Sequence, residues 1–192
     1  MTYYKVVDGP ADPTCSPTYR GLYRAEPTFC ESLPENHELN RMLLSYMNAT
    51  VDTDALEDLQ KARALVSLYQ EYVETSLEIL EIVTPGQPPI SGKQFLGYDL
   101  VFGFSLSLLC WGLQTIIAPP HQGGRANSDA SSPIHVLARL INMHFQPLLN
   151  KNGLFHNLDD ARFCLDCMMA IQDISQGFYE YGQYRVVGLY VA

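Results

Sequence analysis

Positive charge is scarce in this chain: 12 Lys and Arg stand against 21 Asp and Glu, a formal net charge of −9. Phosphate backbones demand a cationic footprint, so this balance argues against nucleic acid and against anionic membrane surfaces. Long apolar runs are missing too. The longest apolar region, Leu100 to Ala118, is interrupted by Gly103, Ser105, Ser107, Gly112 and Gln114, and it reads as buried core instead of a membrane span. Cysteine is sparse and odd in number. Cys15, Cys30, Cys110, Cys164 and Cys167 follow no disulfide framework, which favours free thiols in a reducing cytosol. Met1 to Asp8 has no basic leader followed by an apolar core, so no secretory signal is expected.

The usual marks of catalysis are equally thin. Cys164-Leu-Asp-Cys167 is a C-x-x-C, but it lies inside an expected helix, and Asp166 disfavours a thiolate. Zinc would need a second such pair, and there is no other C-x-x-C and no H-x-x-x-H. Both thiols read as core or near-core groups. His37, His121, His135, His144 and His156 are dispersed and share no chelating spacing. Gly103-Phe-Ser105-Leu-Ser107 departs from the nucleophile elbow at its last glycine, and His121-Gln-Gly-Gly124 lacks the phosphate-loop lysine. No catalytic residue, metal or cofactor is expected. A Cys–His pair assembled from distant segments would make the chain a small cytosolic enzyme, and that alternative stays open, as does a non-enzymatic adaptor.

What the chain does have is a concentration of acid. Asp52, Asp54, Glu57, Asp58, Glu71, Glu74, Glu78 and Glu81 face only Lys61 and Arg63 between residues 52 and 81, a local net of −6. Charged positions on an outer helix face are ordinarily just solvated. Balanced surfaces, however, mix the two signs more evenly than this. Apolar residues interleave the acids: Leu56, Leu59, Val66, Leu77 and Leu80 would face inward. Glu57, Asp58, Glu71, Glu74 and Glu78 would then face a basic partner, with Tyr69 and Tyr72 as anchors, since tyrosine is favoured at interface hot spots.

Length and composition suit one domain over residues 1–192, with a Pro/Tyr-rich arm at 1–33 packed on it. Tyr3 to Val7 and Tyr19 to Tyr23 read as short strands, and Leu39 to Met47 as a helix. A second helix is expected from Asp52 or Thr53, with Leu56, Leu59, Ala62, Val66 and Tyr69 on its apolar face. Past Glu71 two readings stay open: Val73, Leu77 and Leu80 would continue a helix, whereas the β-branched content favours a strand near residues 75–83, ended by Pro85-Gly86. Phe95 to Val101 and Ser105 to Leu113 read as buried strands, with a short helix over Leu106 to Ile117 as the alternative to the second. Ser132-Pro133 starts a helix, Asn152-Gly153 makes a turn, and Asn157 or Asp159 caps a further helix. In that helix Phe163, Cys167, Ala170 and Ile174 would share a face. Tyr184 to Val191 is the strongest strand and should sit centrally. The expected fold is α+β: a mixed or antiparallel sheet with about four helices. Its core would hold Phe95, Leu96, Val101, Leu106, Leu108, Trp111, Val187 and Leu189.

Phe95-Leu-Gly-Tyr-Asp99 followed by Ser105-Leu-Ser-Leu-Leu109 resembles bacterial immunity proteins of polymorphic and contact-dependent toxin systems. So do Leu149 to Phe155 with Leu158-Asp-Asp160, and the closing Tyr184-Arg-Val-Val-Gly-Leu-Tyr190. The resemblance covers residues 76–113 and 146–192. It implies a cytoplasmic, non-enzymatic protein that blocks a cognate secreted toxin domain stoichiometrically. The acidic stretch makes that domain a basic one.

Overall fold

The computed structural model describes residues 2–8, 55–70, 76–102, 106–107, 109, 133–175 and 184–192. Five strands form one sheet: β1 (Thr2–Asp8), β2 (Leu77–Val83), β3 (Gln94–Phe102), β4 (Leu106–Ser107) and β5 (Tyr184–Val191). Their order is β1-β2-β5-β3-β4, and every pairing is antiparallel. Three α-helices accompany it among the described residues: α1 (Leu59–Gln70), α2 (Pro133–Phe145) and α3 (Leu158–Ser175). The fold is α+β. The helix expected at Leu39 to Met47, the strand at Tyr19 to Tyr23 and most of the 1–33 arm lie outside the described residues.

The helices divide one face of the sheet between them. α1 covers the β1–β2 end, where Tyr4, Val6, Leu56, Ala62, Leu65 and Leu77 pack together. α2 and α3 cover the other end, where Leu100 and Val186 meet Ile141, Phe145, Phe155, Ala161, Cys164 and Met168. Tyr3, Ile82, Val101, Val187 and Leu189 make the core of the opposite face.

Strand β5 enters between β2 and β3. Since both are antiparallel to it, β2 and β3 run parallel to each other. Parallel neighbours usually need a crossover of a dozen or more residues, most often a helix. Here residues 84–93 suffice.

Several local expectations change. Helix α1 begins at Leu59, not Asp52, because Leu56 exchanges two backbone hydrogen bonds of 2.7 Å with Tyr4 and is held as an extra edge bridge. Asp58 then caps α1, accepting the Gln60 N–H at 2.8 Å. Asn157 caps α3, accepting from Asp159 N–H at 2.9 Å. The buried face of α3 is Ala161, Cys164 and Met168, whose spacing points all three at the sheet. Phe163 and Ala170 are exposed; Phe163 lies edge-on to Phe145, with ring centroids 5.5 Å apart. On α2, Ile141 and Phe145 turn inward while Val136, Leu140 and Met143 form an exposed apolar stripe.

Phe95 also leaves the expected core and is 39% exposed. A β-bulge between Phe95 and Gly97 moves Leu96 out of the ladder, and the Leu96 carbonyl accepts the Asn150 side-chain amide at 2.8 Å. Gly97 has φ 145°, and a side chain there would press on Leu154.

Val101, Val187 and Leu189 are buried as expected, with Leu189 fully so. Replacing Leu189 by Ala should lower stability by about 2–5 kcal/mol, the range for a fully buried leucine, measured by denaturant unfolding.

Candidate functional site

The register places five residues in one row across the helix-bearing face: Leu56, Tyr4, Glu81, Tyr190 and Phe95. Glu81 stands at its centre and is fully buried. A carboxylate this deep needs compensation, and the crossover supplies it. The chain turns at Thr84 to Gln87, where the Gln87 N–H reaches the Thr84 carbonyl at 3.1 Å. It then doubles back over β5. The backbone N–H groups of Ile90, Ser91 and Gly92 all donate to the Glu81 carboxylate, the Ser91 N–H at 2.8 Å, and the Ser91 hydroxyl donates at 2.7 Å.

The need is reciprocal. Amides of a connection laid against a sheet would otherwise lack acceptors. Gly92 lies so close to Tyr190 that a side chain there would run into the tyrosine Cβ. Burial alone pushes the Glu81 carboxyl up, but the donors of Ile90, Ser91 and Gly92 outweigh it and hold the group below its ordinary value.

Beyond Glu81 the row continues into aromatics. Phe95 packs against Tyr98 and Tyr190, each at 5.0 Å between ring centroids, and the three rings close over Gly188. Burial, then Tyr98 and Glu81, push the Tyr190 phenol up, so it stays protonated.

Leu56 ends the row, and two of the acids read from the sequence, Glu57 and Asp58, follow it in the chain. Glu57 and Asp58 are both exposed, and neither forms an ion pair among the described residues. Glu57 is close enough to Tyr3 to add to the burial that raises that phenol, against the opposing effect of Arg185. Glu78 is half-buried opposite Val7. Tyr69 lies on α1 with its side chain outside the described residues, and Glu71, Tyr72 and Glu74 lie outside them altogether. Lys61 and Arg63 are exposed on α1, so its outer face carries base as well as acid.

The acidic stretch is therefore not one solvated face. Glu81 is consumed inside the fold and Asp58 caps a helix. A signal for Glu81 exists in the sequence: it sits between Leu80 and Ile82 in a strand apolar on both sides, where an acid must be buried and satisfied.

The two thiols among the described residues are not activated. Burial, and then Cys167, push Cys164 up to about 12. Burial, and then Asp166, raise Cys167. His144 is exposed and lies edge-on to Phe145 at 4.7 Å. Among the described residues no group of His, Cys, Asp and Glu could hold a metal, and no helix is long and apolar enough to cross a membrane. The chain matches no protein-family model, and neither characterised proteins nor solved structures gave a match.

Two outcomes follow from this geometry. Glu81→Gln should cost about 2–3 kcal/mol at neutral pH, as expected for lost hydrogen bonds to a charged group. Because the folded carboxyl lies below its reference value of 4.5, its contribution is complete above that pH and fades as the pH falls through the folded value. Wild-type stability should fall in that acid window, and the Gln variant should lack this component, read by urea unfolding from pH 7 to pH 3. Separately, a thiol reagent at pH 8 should leave Cys164 unmodified in the native protein and react with it only after unfolding, as followed by mass.

Proposed function

We propose that the chain is a non-enzymatic binding protein of the immunity type, which neutralises a basic toxin domain by stoichiometric association. The observation that carries this reading is the adjacent pair Glu57 and Asp58, exposed and without an ion-pair partner among the described residues, within a stretch of net charge −6. Opposite charge accelerates encounter, and a packed contact then sets the lifetime of the complex. Glu57, Glu71, Glu74 and Glu78 supply the steering charge. Asp58 adds to it while capping α1, and Tyr69 and Tyr72 supply anchor area. The raised thiols of Cys164 and Cys167 favour this reading over a nucleophile at either of those two cysteines.

The test is a double reversal, Glu57→Lys with Glu74→Lys, which spares the cap and the buried acid. Association with the partner retained from the native host should slow about tenfold at low salt and change little at 1 M, where the screening length is about 3 Å. Dissociation should change less. Stopped-flow mixing of the purified proteins reads both rates, and an unaltered association rate would remove the acidic stretch from the interface.

A further inference from the structure

We infer that the outer face of α2 and α3 is a self-association surface. A second copy of this chain docks there about a two-fold axis running along the helices, so that α2 of each copy covers α3 of the other. This goes beyond the binding reading above and does not depend on it.

Val136, Leu140 and Met143 recur at the spacing of one helix face, and all three are exposed, Met143 by 71%. His144, four residues after Leu140, lies edge-on to exposed Phe163 of α3, with ring centroids 6.3 Å apart. The stripe therefore runs on across the seam between the two helices. Exposed Ala170, seven residues after Phe163, extends it along α3. A contiguous exposed apolar patch of this kind marks an interaction surface.

The charges on its margins select the occupant. Exposed Arg139 lies beside Val136 and Met143 on α2, about 140° round the helix from His144, and so on the margin away from α3. On α3, exposed Asp166 lies beside Phe163, and neither Arg139 nor Asp166 forms an ion pair among the described residues. Asp159, on the same side of α3, adds a second acid, held by Arg162 at 3.8 Å. One margin is thus basic and the other acidic. A basic partner would meet Arg139 with like charge, and an acidic one would meet Asp166. A second copy turned about the two-fold axis brings acid to base at both margins at once, the self-complementarity that an isologous contact requires. The net charge of −9 opposes this little, because residues 133–175 carry three bases and four acids, a net of −1. Glu57 and Asp58 lie away from this face, beside the strand residue Leu56 that packs with α1 at the β1–β2 end.

The experiment follows the full chain by sedimentation equilibrium at low salt, up to about 200 µM, the range in which small interfaces associate. Wild type, Arg139→Asp and Asp166→Arg are run alone, and the two variants are then mixed in equal amounts. The expected result is a reversible wild-type dimer, association weakened at least tenfold in each variant at an unchanged melting temperature, and restoration in the mixture, where both margins are again complementary. A wild-type chain that stays monomeric throughout would overturn the inference, as would a dimer indifferent to either reversal. Weakening without restoration in the mixture would overturn the two-fold pairing of α2 with α3. Each of these outcomes leaves the binding reading untouched.

Discussion

The Glu81 carboxylate is the group on which the centre of this fold depends. Two parallel strands flank β5, and the short connection between them must run across the sheet instead of around it. A backbone laid there needs acceptors, and an acid buried there needs donors. Either requirement alone would be destabilising, and together they satisfy each other. The same contact divides the helix-bearing face, with α1 on one side and α2 and α3 on the other, and aromatic rings filling the ground between.

Much of this was legible in the residues. The β-branched and aromatic content of Tyr3 to Val7, Phe95 to Val101 and Tyr184 to Val191 gives strands where strands are found, and the central place of the last follows from its apolarity on both faces. Pro133 opens α2 and Asn157 caps α3, as their local chemistry dictates. Other features depend on pairings that no local pattern specifies. Leu56 has a helical spacing with Leu59 and Ala62, yet tertiary bonds to Tyr4 pull it onto the sheet edge. On α3 the pattern of Phe163 and Cys167 lies about one position from the buried Cys164 and Met168, because Phe163 and Cys164 are both apolar and only tertiary packing decides which is covered. The acidic stretch is uniform as sequence, since a count of charge does not distinguish the carboxylates that the fold retains for itself, Asp58 and Glu81.

That division of labour among the acids sharpens the functional reading. An acid used as a helix cap or a buried acceptor cannot be exchanged without harm to the fold, whereas Glu57 can. Under the function proposed above, Glu57 would be free to vary with the partner while Asp58 and Glu81 hold the scaffold. Partner recognition and stability would then reside in neighbouring but separable side chains.

The position of β5 has a consequence for how the chain acquires its structure. Its two neighbours come much earlier in the sequence, and β3 and β5 are separated by α2 and α3. Until Tyr184 to Val191 is present, the two halves of the sheet have no ladder joining them, and two edges that end up interior are open to other chains. Assembly must wait for a distant segment to arrive, which makes folding slow for a protein of this size. The early connection 84–93, clipped by Glu81, would hold β2 and β3 at the right separation in that interval. The slot for the last strand would thus be shaped before the strand exists.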